Sequence, residues 1–77
     1  MKYTINSATF DDDKQSVETE MEFIRPDPIR KYYVIVNHRR YSPNQVLEVI
    51  TGLPRVQCKT LYSVPILHRL GFKIHKY

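Results

Sequence analysis

The sequence is poor in residues on which several protein classes depend. Its 77 residues include one cysteine, two glycines and no tryptophan. A single cysteine cannot form an internal disulfide, which argues against a small secreted scaffold and favours a cytoplasmic location. Two glycines argue against a glycine-rich phosphate-binding loop. The longest apolar run, Tyr32 to Val36, is far shorter than the roughly 20 residues of a membrane span, so no membrane partner is expected.

Positive charge is concentrated in one part of the chain. Residues 1–29 contain three basic and seven acidic residues, a net charge of −4, whereas residues 30–77 contain nine basic residues and one acidic residue, a net charge of +8. Such asymmetry indicates contact with nucleic acid or with another acidic partner. A simpler alternative is that the cations solvate the surface and pair with the acidic third.

The acidic third is predicted to be a β-hairpin. Residues 2–7 and 17–23 alternate apolar and polar side chains, which predicts two strands joined by a turn over residues 11–16. The second strand would direct Val17, Thr19, Met21 and Phe23 to the core, and Glu18, Glu20 and Glu22 to solvent. The three glutamates would then form a solvated outer face, protect a sheet edge, or dock a protein partner.

A second hairpin, two helices and a last strand are predicted for the remaining chain. The β-branched and aromatic run at residues 32–36 predicts a strand, followed by a turn at Asn37-His38 and a returning strand. Ser42-Pro43 begins a helix that Gly52 ends. A second helix begins at Thr60 or at Ser63, and Gly71 ends it.

Alternation from Phe72 to Tyr77 predicts the closing strand. The predicted fold is therefore a small single α+β domain, an antiparallel sheet with two helices in the order β-β-β-β-α-α-β. Within it, residues 1–26 would be an acidic hairpin extension of a basic module formed by residues 27–77.

Candidate catalytic and metal-binding residues are few. Cys58 lies beside Lys59 but has no histidine nearby in sequence, so a buried core thiol is expected rather than a nucleophile. The three histidines lack the spacing of a zinc site, and the acidic run at residues 11–13 lacks the glycine of a calcium loop. The sequence therefore predicts no enzymatic activity, no metal and no cofactor.

Binding is the better-supported class of function. Two helices and a strand, with basic residues between and beyond them, resemble a compact helix-turn-helix with a wing, in which cations contact phosphates. The predicted phosphate contacts are Arg39, Arg40, Arg55, Lys59, Arg69, Lys73 and Lys76. Aromatic residues interleaved with these cations could stack on unpaired bases, although most are expected in the core or at its rim.

The chain also resembles a known module over residues 27–74. The resemblance lies in the hairpin Tyr32–Tyr41, in the helix start Tyr41-Ser42-Pro43 and in the final Leu70-Gly71-Phe72. In these features the sequence resembles a small bacterial and phage-borne module and is similar to the N-terminal module of some HNH-type restriction endonucleases. The resemblance implies a DNA-associated accessory role without catalysis. The chain departs from that pattern at His38, which replaces a usual glycine, and at Pro65, inside the second helix.

The first functional hypothesis is a non-catalytic DNA-binding or DNA-associated regulatory protein, with duplex favoured over single-stranded DNA. The alternative is a phage or mobile-element inhibitor that binds a host defence complex, of the anti-CRISPR or anti-restriction type. In that alternative, Glu18, Glu20 and Glu22 would dock on a basic channel of the partner. A homodimer through a strand edge is a further possibility.

Overall fold

The structure, a computed structural model that describes all 77 residues, contains two antiparallel sheets and three helices. The strands are β1 (Lys2–Ile5), β2 (Ala8–Asp11), β3 (Tyr32–Val36), β4 (Arg39–Tyr41) and β5 (Ile74–Lys76). The helices are α1 (Lys14–Glu20), α2 (Pro43–Thr51) and α3 (Thr60–Arg69). The α+β class is confirmed, but the element order is β-β-α-β-β-α-α-β.

The predicted strand over residues 17–23 is wrong, because this segment begins in helix α1. Asp13 caps the helix: its carboxylate accepts the Ser16 N–H at 2.7 Å, and the Ser16 hydroxyl accepts the Asp13 N–H at 3.0 Å. Val17 and Met21, four residues apart, both face the core, whereas Phe23 is 91% exposed. Thr19, which a strand would bury together with this pair, is also exposed, so the burial pattern is helical.

The first hairpin is correspondingly shorter than predicted. Its turn lies at Asn6 and Ser7, not at residues 11–16, and both turn residues have positive φ, 49° and 72°. Two consecutive left-handed residues match the right-handed twist of the strands they connect. Ile5 therefore pairs with Ala8, and Tyr3 pairs with Phe10.

The second hairpin and the helix that follows it are confirmed. Asn37 and His38 form the turn with φ of 53° and 66°, a left-handed pair that asparagine tolerates well. Helix α2 ends at Gly52, whose φ of 73° is left-handed. Ser42 precedes the helix, but its side chain makes no capping hydrogen bond.

Helix α3 begins at Thr60, which decides between the two predicted starts. Pro65 consequently lies inside the helix and cannot donate to the carbonyl of Leu61. Leu61 is exposed, so that carbonyl lies where water can replace the lost donor. The helix ends at Arg69, followed by Gly71 with φ of 103°.

One core joins the two predicted parts of the chain. Tyr3, Ile5, Val17 and Met21 from the first third share a cluster of 14 buried residues with side chains from the remaining elements. Residues 1–26 thus form a hairpin and a helix that are packed into the domain rather than a hairpin extension. None of the helices is long and apolar enough to cross a membrane.

Two buried polar side chains attach the connector before β3. The Gln45 amide of α2 donates to the Arg25 carbonyl at 2.8 Å and accepts the Asp27 N–H at 2.9 Å. The Tyr41 hydroxyl donates to the Ile24 carbonyl at 2.6 Å. These bonds satisfy backbone groups of an irregular segment and hold it against α2 and β4.

Candidate nucleic-acid interface

The three-stranded sheet, in the order β4-β3-β5, has one covered face and one open face. Val34, Val36 and Tyr41 are buried on the covered face, which packs against the helices. Side chains alternate along a strand, so the neighbouring positions lie on the opposite face. We call this opposite face the open face; it carries Tyr33, Ile35, Arg40, Lys73, His75 and Tyr77. Ile35 is 45% exposed although β3 is the central strand, so no helix covers this surface.

Planar groups from all three strands meet on the open face. The Tyr33 and His75 rings, on paired residues of β3 and β5, are stacked with centroids 4.9 Å apart and planes at 11°. The Arg40 guanidinium lies 4.8 Å from the Tyr33 ring centroid, a favourable cation–π distance. Tyr77 contacts Tyr33 edge-on, with centroids 6.3 Å apart.

None of the six side chains on the open face is acidic. Arg40 and Lys73 supply positive charge to it, Lys31 immediately precedes β3, and Lys76 is the last residue of β5. The surface therefore combines exposed apolar and planar groups with cations, a combination that contacts both bases and phosphates.

Two of the predicted phosphate contacts are engaged within the protein. The Arg55 guanidinium bonds Asp27 at 2.7 Å and Glu48 at 2.8 Å, and hydrogen bonding to Asp27 is the main cause that raises the pKa of Arg55. The Arg39 guanidinium donates to the Glu22 carbonyl at 3.1 Å. Arg39 also lies on the opposite side of β4 from Arg40.

The other predicted cations are dispersed. Lys59 precedes α3 and Arg69 ends it, and Arg69 borders a groove between α3 and β1. Lys76 pairs with Tyr32 and so lies on the other side of β5 from His75. Of the seven predicted phosphate contacts, only Arg40 and Lys73 therefore belong to the open face.

Helix α3 has a mixed exposed surface. Its exposed positions are Thr60, Leu61, Pro65, His68 and Arg69. Leu61 and Pro65 separate the polar Thr60 at the start of the helix from His68 and Arg69 at its end, so the donors and acceptors that a recognition helix uses in the major groove do not form one continuous row. The helix-turn-helix hypothesis stays a prediction.

The three glutamates do not form the stripe predicted for a strand. Glu18 and Glu20 lie in α1, where residues two apart point in different directions, and Glu22 follows the helix. The exposed Phe23 ring comes next, beside a shallow depression lined by Glu22, Arg25 and Arg39. This region has charges of both signs beside an exposed aromatic ring, and it is separate from the open face.

Sequence reasoning identified the aromatic residues but not their positions. Tyr41 and Phe72 are buried, as expected for most of the set, whereas Tyr77 is 72% exposed. The sequence carries one local signal for Tyr33: within the strand at residues 32–36 it alternates with Val34, so it lies on the same face as Ile35. The pairing of Tyr33 with His75, 42 positions later, had no local signal.

The candidate catalytic residues lie apart from one another. Cys58 is buried, and burial is the main cause that raises the pKa of its thiol, which keeps the sulfur protonated. His38 is in a turn, His68 is exposed on α3 and His75 is stacked on Tyr33. The structure contains no group of three or more His, Cys, Asp or Glu side chains arranged to hold a metal ion.

The chain is similar to a protein family over its whole length. The family described as SCO5918-like matches residues 1–77. The match includes β1, β2 and α1, so these elements are part of the family's unit. No curated protein and no solved structure matches the chain.

Proposed function

The chain belongs to the SCO5918-like family, and we propose that it is a small non-catalytic protein that binds nucleic acid on the open face of its three-stranded sheet. The proposal keeps the DNA-associated accessory role predicted from the sequence and assigns it to a different surface. Binding would take place in the cytoplasm, which suits a fold whose one cysteine is buried and unpaired.

The observation that carries the proposal is the composition of the open face. Ile35 and Tyr77 are 45% and 72% exposed beside the half-buried Tyr33, and exposed apolar groups rimmed by polar ones are typical of interaction surfaces. The cations beside it and the absence of acidic residues favour a polyanion over an ordinary protein surface. Planar groups among the cations favour a polyanion that carries bases.

The proposal predicts a shallow dependence of affinity on salt. Two or three cations, namely Arg40 and Lys73 with or without Lys31, are available for phosphates. On a single strand each contact contributes about −0.7 to the log–log slope, so we expect a slope of about −1.5 to −2. Fluorescence anisotropy titrations of a labelled oligonucleotide at several salt concentrations measure it.

The control is the duplex of the same sequence. If all seven cations predicted from the sequence contacted duplex phosphates, the slope would be about −6. A slope near that value would contradict the open face as the site, because too few cations surround it. An oligonucleotide that does not bind at low salt would contradict nucleic-acid binding altogether.

A protein-binding inhibitor remains the second candidate function, and Phe23 is the observation that favours it. A phenylalanine that is 91% exposed beside Glu22 is a natural anchor for a protein partner. The two functions use different surfaces. Replacement of Glu18, Glu20 and Glu22 by glutamine would leave nucleic-acid binding intact under the first function and abolish partner binding under the second.

The resemblance of residues 27–74 to modules of HNH-type endonucleases remains a prediction. It agrees with the proposal in one respect, because both assign nucleic-acid contact to the basic part of the chain. Of the strands that form the open face, β3 and β4 lie inside residues 27–74, whereas β5 begins at residue 74 and carries His75 beyond that range.

A further inference from the structure

We propose that the open face binds unpaired bases, one stacked on each end of a three-membered stack formed by Arg40, Tyr33 and His75. This inference rests on the proposed function and specifies its ligand as single-stranded nucleic acid.

The Tyr33 and His75 rings are stacked with their planes at 11°, and the Arg40 guanidinium carbon lies 4.8 Å from the Tyr33 ring centroid; these three groups are what we call the stack. Strand β3 lies between β4 and β5, so Arg40 and His75 approach Tyr33 from opposite sides. The 4.9 Å between the Tyr33 and His75 centroids equals the spacing of neighbouring strands, about 4.8 Å. The two rings therefore stand side by side on adjacent strands. His75 covers one face of the Tyr33 ring, and Arg40 approaches the ring from the neighbouring strand.

The free surfaces of this stack are at its ends. The outer side of the Arg40 guanidinium and the outer side of the His75 imidazole have no planar partner in the protein. Guanidinium and aromatic planes are the groups on which proteins stack unpaired bases. Tyr77 stands edge-on to Tyr33, so it flanks the stack without extending it, and Ile35 adds apolar contact beside Arg40.

A single strand fits this surface better than a duplex does. Bases inside a duplex are covered on both faces by their neighbours, whereas unpaired bases can be splayed out onto a protein surface. The open face is a sheet surface without a protruding helix, and a major groove is read by an inserted helix or a two-stranded ribbon. The ligand class is thus unpaired nucleobases on a phosphodiester strand, from DNA or RNA.

The test separates stacking from charge. Wild-type protein is titrated with four labelled probes of about 12 nucleotides, a length within usual site sizes. They are an oligo-dT strand, an oligo-rU strand, an abasic DNA strand with the same number of phosphates, and a DNA duplex. We expect one or both base-bearing strands to bind at least about tenfold more tightly than the abasic strand and the duplex. The tighter of the two identifies DNA or RNA as the source.

Arg40→Lys tests the stack itself, because it keeps the charge and removes the planar group. It is expected to weaken single-strand binding about tenfold and to leave both abasic-strand binding and the salt slope unchanged. Arg69→Lys, the same chemical change on α3, is the matched control and should not alter any affinity. Circular dichroism verifies that both variants are folded.

The possible failures are distinguishable. Equal affinity for base-bearing and abasic strands, or Arg40→Lys binding like the wild type, would overturn the stacking proposal and leave the proposed function intact. A duplex bound as tightly as the single strands would do the same. If none of the four probes bound at low salt, the proposed function would itself be overturned.

Discussion

Replacing Arg40 by glutamate is expected to weaken binding to single-stranded nucleic acid by about a hundredfold. The change removes one phosphate contact, which is worth about tenfold near 0.1 M salt, and places a negative charge beside the strand. It also removes one end of the planar stack described above. Anisotropy titration of the variant at low salt measures the loss, which should shrink as salt is added.

Arg39→Glu is the matched control, because it changes the net charge by the same amount on the neighbouring residue of β4. Arg39 lies on the opposite side of that strand and bonds the Glu22 carbonyl. Its replacement should reduce affinity by less than about threefold, because the changed charge would act on the bound strand only through the electrostatic potential of the whole protein. Equal losses for the two variants would contradict a binding surface restricted to the open face.

Met21→Ala is expected to lower the free energy of unfolding by about 2–5 kcal/mol. Met21 is fully buried at the end of α1 and joins that helix to the shared core. A domain of this size has a stability toward the low end of about 5–15 kcal/mol, so the variant would lose much of it. The midpoint of urea unfolding, followed by circular dichroism, reports the change.

Phe23→Ala is the control for that experiment, since Phe23 is larger than Met21 but almost fully exposed. Its replacement should change stability by less than about 0.5 kcal/mol. The strand predicted over residues 17–23 would bury Met21 and Phe23 alike. Similar losses in the two variants would therefore restore the strand and contradict helix α1.

The error at residues 17–23 has a physical explanation. Val17 and Met21 are four residues apart, a spacing that fits one face of a helix and also fits every second position of a strand. The deciding signal lay upstream: Asp13 and Ser16 have the spacing of a capping pair, and their side chains bond each other's backbone. The capped helix start at Asp13 therefore determines the structure of residues 17–20, although their alternation of apolar and polar side chains also fits a strand.

Local chemistry predicted the other elements well. The Asn37-His38 turn, the helix start at Ser42-Pro43 and the helix end at Gly52 each depend on residues adjacent in sequence, and all three are present. Asn6-Ser7 forms a turn of the same kind, and neither turn contains glycine. The first turn is not predicted because Asn6 and Ser7 continue the alternation that begins at Lys2, while the acidic run that follows offers residues typical of turns.

The candidate site was less predictable because it depends on sheet topology. A charge count places nine basic residues in the last 48 but does not assign them to faces. Arg55 is neutralised by Asp27, 28 positions earlier, and Tyr33 is stacked on a histidine from the last strand. Both contacts follow from the way distant segments pack, so the sequence predicted a basic binding part but not its binding face.

The central claim is that nucleic acid binds the open face, and amide chemical-shift mapping tests it most directly. A ¹⁵N-labelled sample is titrated with the base-bearing single strand that binds more tightly. We expect the largest shifts at Tyr33, Ile35, Arg40, His75 and Tyr77, with α1 and the exposed side of α3 little changed. Shifts concentrated on α3 around Leu61 and His68, or on Glu20 to Phe23, would contradict the account.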